Sequence, residues 1–443
     1  MDIGNFQLNL ARELKKYTAK LKEKDINSAK SSYTFVATWG ENLGFEYLKY
    51  RILKLSNFLK FLRIFLKDLY FALATDKLEI INEFKKNKKD KIIFSNASFD
   101  DFNNDGSYID RYFKINSSSH KEFIFIIVYS GNIIPKKIDD NLVLLRRKTK
   151  PFFIDLFELI FKFIKSIFFG KKYFFHNYSA MTLFSEKILF TVKKLINFNN
   201  IKKIFFPYEG HPFQQELALE SKTINKNIKI IGYDHSAPHA NPINLLHRNG
   251  SPDLLYVNGR SQKNYLVHHL NWPQKKIQIV PSLRYKINSD EKFNNAIFFP
   301  WQIINSKIVL DELKFLFENS KPNSLNLFEI KTHPVSVDIK KQLKLKKDIE
   351  ILMKKYKEKF GNSTCNTSIF IGSTTSVIVA LEKGIDTFHI CFDPLFESYS
   401  QKLWPELNVT SISKNSFKYY LKEKNSFINF GQGEKTFSEY YNN

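Results

Sequence analysis

The chain has 443 residues and a formal net charge of +24, from 68 Lys and Arg against 44 Asp and Glu. This length exceeds what a single hydrophobic core usually supports, so we expect two main domains. Hydrophobic residues make up 43% of the sequence, which excludes an intrinsically disordered chain. The positive charge favours an anionic partner: nucleic acid, anionic lipid or a phosphorylated substrate.

Nucleic acid is the least favoured of these partners, because the sequence contains no helix-turn-helix, ribonucleoprotein or zinc-ligand pattern. The two cysteines, Cys365 and Cys391, cannot build a disulfide framework and fit a reducing compartment. The N-terminal residues continue into charged sequence without the apolar region of a signal peptide. We therefore expect a cytoplasmic protein that does not bind nucleic acid.

The first 150 residues mix strand and helix patterns. Residues 33–38 predict a short strand, and residues 45–85 have helical periodicity with Lys60, Arg63 and Lys67 on one face. That basic face is either solvated or in contact with an anion. Strands are also predicted at residues 91–94 and 123–128.

Residues 151–170 form an apolar run that needs a separate interpretation. Asp155, Glu158, Lys162 and Lys165 interrupt the run at helical spacing, which makes a membrane span improbable. Two alternatives stay open. The segment is either a core helix with one wet edge or a helix lying in the membrane interface, with its lysines toward anionic headgroups.

From about residue 200 onward, strands and helices alternate. The predicted strands are at residues 203–206, 228–231, 254–257, 277–280, 296–299, 325–330, 368–371 and 387–390, and the predicted helices at 213–224, 260–270, 306–319, 338–358 and 376–383. A charged segment at 288–292 looks like a hinge. Such alternation predicts two doubly wound parallel sheets, whose loops at the carboxyl ends of the strands face a cleft.

Two polar loops follow strands of the first series. In residues 207–213, Glu209 precedes a glycine at the end of a strand, where a carboxylate can act as general base on a substrate hydroxyl. The alternative is an acid that stabilises a helix N-terminus. In residues 230–239, His235 can bind an acceptor hydroxyl or a phosphate. A metal site formed by Asp234, His235 and His239 is a further alternative.

Two segments of the second series suit a phosphate. Lys331 and His333 follow a strand, and their spacing places both side chains on one side of an extended backbone. The turn that begins at Gly372 brings hydroxyl groups and free N–H groups to a helix start. The alternatives are a surface Lys with a loop His, and an ordinary capped helix.

Together these motifs resemble bacterial glycosyltransferases of the GT-B fold that use CMP-activated acidic sugars, namely sialyltransferases, polysialyltransferases and the related Kdo and nonulosonate transferases. The resemblance covers residues 200–395 and rests on Glu-Gly after a strand, His-Pro after a later strand, and a Ser/Thr cluster about 40 residues further on. It implies an α/β fold of two Rossmann-type doubly wound domains facing a central cleft.

The resemblance also assigns site residues. It implies that Glu209 is the general base, and that His333 contacts the CMP phosphate and assists its departure. Further donor contacts are assigned to Lys331, Pro334, Gly372, Ser373, Thr374, Thr375 and Ser376, and acceptor contacts to His211, Asp234, His235 and Ser236. It implies metal-independent, inverting transfer without a cofactor, the CMP-sugar being a co-substrate.

We therefore expect a GT-B-like transferase with an acceptor-binding domain at 1–288, a nucleotide-sugar domain at 289–400 and a helical tail at 401–443. The expected partners are the nucleotide-sugar donor, a glycan or lipid-linked oligosaccharide acceptor of the cell surface, and the inner membrane as a peripheral surface. Alternatives are a UDP- or GDP-sugar donor, polyol-phosphate transfer from CDP-glycerol, and a non-catalytic carbohydrate- or nucleotide-binding protein.

Overall fold

The computed structural model describes residues 2–19, 76–82, 89–131, 133–148, 180–195, 200–286, 293–333, 339–361, 366–431 and 437. Several sequence predictions lie outside these residues: the strand at 33–38, the basic face of Lys60, Arg63 and Lys67, the helix at 151–170, the hinge at 288–292 and the contact of Pro334. Among the residues described, no helix combines the length and the apolar character that crossing a bilayer requires.

Eight strands form the first sheet, in the spatial order β1-β4-β3-β2-β5-β6-β7-β8. They are β1 (Asp76–Ile81), β2 (Lys91–Ala97), β3 (Phe123–Tyr129), β4 (Leu142–Lys148), β5 (Lys203–Pro207), β6 (Lys229–Tyr233), β7 (Leu254–Val257) and β8 (Ile277–Ile279). The edge strand β1 is antiparallel to β4, and the other neighbours are parallel. Central strands such as β3 are buried almost throughout, which explains their continuous apolar sequence.

Six strands form the second sheet, in the order β11-β10-β12-β13-β15-β14. They are β10 (Ala296–Phe298), β11 (Glu329–Lys331), β12 (Thr367–Ile371), β13 (Asp386–Ile390), β14 (Leu407–Ser411) and β15 (Ser416–Leu421). The first four strands in this order are parallel, and β15 and β14 continue the sheet antiparallel. A separate parallel pair joins β9 (Ser282–Lys286) to β16 (Phe430–Gly431).

Eight helices are described. They are α1 (Ile3–Ala19), α2 (Ala180–Leu195), α3 (Pro212–Ile224), α4 (Arg260–His269), α5 (Ser306–Asn319), α6 (Ile339–Lys355), α7 (Ser376–Glu382) and the short α8 (Pro394–Glu397). The α/β alternation with parallel sheets predicted from residue 200 onward is confirmed. The expected order of these elements along the chain is also confirmed, with boundaries that differ by a few residues.

Each sheet has one point at which the direction of strand addition reverses. In the first sheet the chain runs from β2 outward to β4 and then returns to start β5 on the other side of β2. In the second sheet the reversal lies between β10 and β12. Crevices outside the carboxyl ends of strands at such points are where α/β sheets bind ligands. The loops that follow β2, β5, β10 and β12 are therefore placed to form sites.

Two secondary-structure predictions are wrong. Residues 76–81, expected to end a long helix, are the edge strand β1, because pairing with β4 overrides the local helical periodicity. Residues 407–411 and 416–421, expected to be part of a helical tail, pair with each other as β14 and β15. Burial along β15 alternates at its centre, the pattern of a half-buried strand.

The two sheets share buried contacts. The ring of Trp404 stacks on Tyr265 of α4 with centroids 4.4 Å apart, and its Nε1 donates to the carbonyl of Ala240 at 2.8 Å. The buried carboxylate of Glu382 accepts hydrogen bonds from backbone N–H groups of Asn425 and Phe427. The segment that follows β15 is thus fastened to α7 before it returns to the first sheet. The proposed domain boundaries stay a prediction.

Candidate active site

The conformation of the loop after β5 requires a glycine at position 210. Gly210 has φ +70°, and a Cβ added there would lie 2.1 Å from the backbone oxygen of Asn244. No side chain fits that position without moving the backbone of one loop. The amide of Asn244 in turn donates to the carbonyl of Glu209 at 2.8 Å. The loop that contains Glu209 and Gly210 is therefore in close contact with the loop that contains Asn244.

Gln214 in the first turn of α3 fixes the same loop from the other side. Its Oε1 accepts from the backbone N–H groups of Glu209 and His211 at 3.2 and 3.1 Å, and its Nε2 donates to the carbonyl of Pro207 at 2.9 Å. A buried amide with three backbone partners leaves the loop little freedom. The position of the Glu209 backbone is therefore determined before any ligand binds.

The Glu209 side chain has two histidine neighbours at different distances. Its Oε2 is 2.9 Å from Nε2 of His211, a hydrogen bond, whereas its Oε1 is 3.6 Å from Nε2 of His235, beyond hydrogen-bond range. Burial by itself raises the pKa of Glu209, but the hydrogen bond and charge of His211, followed by the charges of His235 and His239, outweigh burial and lower this pKa to about 2. Glu209 is therefore ionised at neutral pH.

Asp234 is a second carboxyl group in the same pocket. Burial, followed by the charge of Glu209, raises the pKa of Asp234 well above its ordinary value. Its Oδ2 accepts from Nε2 of Gln262 at 2.5 Å, and its backbone carbonyl accepts from the Asn258 amide at 3.1 Å. The pocket therefore contains two carboxyl groups whose pKa values are displaced in opposite directions.

His235 and His239 line the pocket. Burial lowers the pKa of each to about 4, so both rings are neutral at pH 7. The Nδ1 atom of each is buried and has no hydrogen-bond partner among the described residues. The His235 ring packs edge-on against Tyr112, with centroids 4.4 Å apart. Tyr112 comes from the long loop after β2, so both strands at the reversal point contribute to the site.

These residues surround a cavity of about 190 Å³. The residues that line it are Glu209, Asp234, His235, Ser236, Ala237, Pro238, His239, Pro242, Asn244, Leu245 and Arg284. Pockets that enclose a complete small ligand usually measure about 300–1,000 Å³. The cavity therefore suits part of a ligand, such as one ring or a terminal group.

The predicted general base and the predicted acceptor contacts lie together here. Glu209, Asp234, His235 and Ser236 line the cavity, and His211 is bonded to Glu209. Sequence reasoning missed Tyr112, Asn244 and Arg284, and it considered His239 only as a metal ligand. Arg284 was missed because β9 was not predicted, although the alternating burial of Ser282–Lys286 reflects its strand sequence.

The hydroxyl turn predicted to bind phosphate lies at the reversal point of the second sheet. Gly372, directly after β12, has φ +67°, and its carbonyl is 2.7 Å from Nε2 of the buried His389. The hydroxyl of Thr374 accepts from the backbone N–H of Ser376 at 3.2 Å. The side chains of residues 373–376 are half-buried.

Lys331 ends β11, at the same edge of the sheet as this turn. Its Nζ lies 5.5 Å from the centre of the Phe298 ring and 3.8 Å from a carboxylate oxygen of Glu329. Because β10 lies between β11 and β12, two strand spacings, about 10 Å, separate the ends of β11 and β12. The binding of one phosphate by Lys331, His333 and residues 373–376 stays a prediction.

The described residues contain no group of three or more His, Cys, Asp and Glu side chains arranged to hold a metal ion. Asp234, His235 and His239, considered above as a metal site, are neighbours in the pocket without forming such a group. The alternative of a metal site at these three residues therefore has no geometric support.

Comparisons with known proteins give weak structural likeness only. No protein-family model matches the chain, and no curated protein matches it. Among solved structures, a mutant of S. aureus TarM, crystallised with fondaparinux, alpha-GlcNAc-glycerol and UDP, aligns with a TM-score of 0.25 and 16% identity. The alignment covers 56% of this chain and 50% of that chain, so this chain spans about half of that protein.

A TM-score of 0.25 is too low to assign a fold. The fold of this chain is therefore described by its own sheets, as a mixed α/β protein with parallel strands. The resemblance to CMP-dependent transferases receives no support from the family models. The choice of donor nucleotide consequently needs an experiment.

Proposed function

We propose that the protein is a glycosyltransferase that moves a sugar from a nucleotide-activated donor to a hydroxyl group of a glycan or lipid-linked acceptor. The observation that carries the proposal is an ionised Glu209 in a small pocket at the reversal point of the first sheet. One of its carboxylate oxygens is hydrogen-bonded to His211. Such a carboxylate has the geometry of a general base.

The two oxygens of Glu209 have different roles in this proposal. His211 holds Oε2, while Oε1 faces His235 across 3.6 Å. An acceptor hydroxyl bound between Oε1 and His235 would donate to the carboxylate and hydrogen-bond to the ring. A pKa of about 2 makes Glu209 a weak base toward a resting hydroxyl. Proton transfer therefore accompanies attack, because the acceptor oxygen becomes more acidic as its bond to the sugar forms.

In the transfer step, the acceptor oxygen forms a bond to the anomeric carbon as the bond from that carbon to the phosphate oxygen breaks. The acceptor proton moves to Glu209, and the nucleotide leaves with the bonding electron pair. We assign stabilisation of the leaving phosphate to the turn at 372–376 with Lys331 and His333. Cationic and N–H groups there would favour the charge that develops on the leaving oxygen.

The donor nucleotide is left open among uridine, guanosine and cytidine. CMP rests only on the resemblance of three short motifs, and the acidic sugar rests on the same resemblance. A UDP- or GDP-sugar is an equal alternative, and transfer of a polyol phosphate from CDP-glycerol would use the same turn. A non-catalytic protein that binds sugars or nucleotides is the alternative of a different class.

Thermal unfolding with UDP, GDP, CMP and CDP tests the donor site. A nucleotide present at one hundred times its Kd stabilises the folded state by about 2.7 kcal/mol, enough to raise Tm measurably. Thr375→Val should reduce the shift, and Thr410→Val, on the exposed surface of β14, should not. The donor proposal fails if none of the four nucleotides raises Tm. A binder without transferase activity would show the shift and form no product.

A further inference from the structure

A chain of buried polar groups connects the turn of the second sheet to the pocket of the first. Nε2 of His389 is 2.7 Å from the Gly372 carbonyl oxygen, and its Nδ1 is 3.1 Å from the hydroxyl of Tyr419. The same hydroxyl accepts from the backbone N–H of Tyr399 at 3.3 Å. The Tyr399 hydroxyl then donates to the carbonyl of Pro238 at 2.8 Å. Pro238 lines the Glu209 pocket.

The chemistry of the partners determines where each proton lies. A carbonyl only accepts, so Nε2 of His389 carries the hydrogen and its Nδ1 is the acceptor. Tyr419 therefore donates to Nδ1, and its oxygen is left to accept from Tyr399. His389 is completely buried, and burial lowers its pKa to about 4, so the ring keeps this neutral form at pH 7. One arrangement of protons then satisfies every hydrogen bond in the series from Gly372 to Pro238.

Each end of the chain fixes a backbone group next to a proposed ligand site. At one end, the planar trans peptide after Gly372 holds its C=O toward His389, so the N–H of Ser373 points in the opposite direction. At the other end, the Pro238 carbonyl belongs to the loop at 234–239, which lines the pocket. Trp404 supports the same loop at the Ala240 carbonyl and packs edge-on against Tyr399, with ring centroids 6.2 Å apart.

We propose that His389, Tyr419 and Tyr399 are positioning residues that hold the Gly372 turn and the Glu209 pocket in one mutual arrangement. The assignment of donor phosphate and acceptor to these two places rests on the proposed function, whereas the mechanical link between them does not. In a transferase, the link would set the separation between the general base and the leaving phosphate.

Hydrogen exchange of the ligand-free protein tests the link directly. Tyr399→Phe removes only the bond to Pro238. We expect faster amide exchange at the non-proline residues of 237–240 and also at residues 373–376, by about fivefold, the change in local opening that one lost buried hydrogen bond produces. Tyr265→Phe is the matched control, because it also removes a single buried hydroxyl, which donates to the Asn241 side chain at the end of the same loop at 3.2 Å and has no bond to His389, Tyr419 or Tyr399. It should affect the loop around Asn241 and leave residues 373–376 unchanged.

The opposite end gives the reciprocal measurement. His389→Phe should accelerate exchange at 237–240, and His389→Gln, which keeps an N–H donor for Gly372, should restore most of the protection. Amides of β3 serve as an internal reference for global opening. If Tyr399→Phe changes exchange at 237–240 alone, the two sites are independent and the link does not exist.

The outcome also separates this inference from the proposed function. Coupled exchange with no nucleotide binding supports the link and overturns the transferase. Nucleotide binding with uncoupled exchange overturns the link and supports the transferase. Where both hold, Tyr399→Phe should raise the KM for the acceptor and weaken nucleotide binding together, which local damage to the pocket loop would not do.

Discussion

Glu209 and His211 share a 2.9 Å hydrogen bond between Oε2 and Nε2, and this bond leaves the other carboxylate oxygen toward the pocket. The side chain of Gln214 fixes the backbone of both residues, because its oxygen accepts hydrogen bonds from both of their N–H groups. A carboxylate with one oxygen held and one available is oriented without being neutralised.

Replacing Glu209 by Gln should abolish most transfer while nucleotide binding persists. The amide keeps the shape of the side chain but cannot accept a proton, so we expect kcat to fall by about 10²–10⁴-fold. The measurement is product formation beside the nucleotide-dependent shift in Tm. Glu423→Gln, at an exposed ion pair with Arg260, is the control. Wild-type kcat in the Glu209 variant would contradict the assignment of the base.

Replacing His211 by Phe should move the acid limb of the pH–rate profile upward. His211 supplies the largest effect that lowers the pKa of Glu209, and without it burial raises that pKa. Glu209 would then take up a proton at a higher pH, and kcat/KM would fall at pH values where the wild-type protein is still active. A profile of kcat/KM from pH 4 to 8 for both proteins decides this. Superimposable acid limbs would show that His211 does not control the ionisation of Glu209.

Arg284 should contribute to ligand binding more than to chemistry. The side chain lines the pocket from an exposed position on β9, and no described carboxylate lies within ion-pair distance of it. We expect Arg284→Gln to raise KM by about tenfold with little change in kcat, since a charge-assisted hydrogen bond contributes about 1.5–3 kcal/mol. Arg260→Gln, an exposed arginine on α4, is the matched control. Equal KM values for the wild-type protein and Arg284→Gln would remove Arg284 from the site.

Gly210→Ala and Gly384→Ala form a matched pair for the loop geometry. Both glycines have positive φ, +70° and +77°, so each alanine costs about 1–2 kcal/mol of conformational strain. A Cβ at Gly384 meets no atom closer than 3.9 Å, whereas at Gly210 it lies 2.1 Å from the Asn244 oxygen. Denaturant unfolding should therefore show a larger decrease in the free energy of unfolding for Gly210→Ala, accompanied by loss of activity. Equal decreases in the two variants would mean that the Asn244 loop moves to accommodate the new Cβ at no cost in stability.

The buried histidines should make the protein less stable in mild acid. Burial holds the pKa values of His235, His239, His247, His269 and His389 near 4, below the ordinary value of 6.5. Through these five groups the unfolded chain binds more protons than the folded one between about pH 6.5 and 4, so their contribution to stability falls as the pH decreases through this window. Asp234, whose pKa is raised by burial, offsets part of this loss. Each fully buried group contributes at most about 1.4 kcal/mol per pH unit.

Urea unfolding at pH 7.0, 5.5 and 4.5 measures this slope. His247→Gln should reduce the slope by removing one of the five groups. Glu209 acts in the same direction at lower pH, since its depressed pKa means that its contribution is lost only as the pH falls from about 4.5 toward 2. Equal slopes for the wild-type protein and His247→Gln would contradict the lowered pKa of this histidine.

The sequence predicted the parallel α/β elements well because their patterns are local. Buried runs such as Phe123–Tyr129 and the capped helix at Ser306–Asn319 need no knowledge of distant residues. The strands β1, β14 and β15 each pair antiparallel with a neighbour, outside the parallel α/β series, and that pairing and not the local pattern decides their structure. These antiparallel additions to the two sheets are therefore the part of the fold that the alternation of strands and helices does not reveal.

Some residues of the candidate site could also be predicted from the sequence, and others could not. Glu209, Asp234 and His235 each follow a strand of a regular series, so sequence alone indicates that they share an edge of the sheet. Tyr112 and Arg284 reach the pocket from a long loop and from β9, across 97 and 75 residues of sequence from Glu209. Nothing in the local sequence encodes such approaches, because they depend on how separate parts of the chain pack.

The return of the C-terminal segment to the first sheet constrains the order in which the protein can fold during synthesis. The backbone of Ser261 donates to Ser426, and Asn258 accepts from Asn429, both at distances below 3 Å. These groups remain without their partners until the ribosome has added more than 160 residues beyond them. Contacts of such long range slow folding and expose unpaired backbone to aggregation. We expect residues 200–286 to need protection by a chaperone in the cell, and to be insoluble when expressed without residues 425–431.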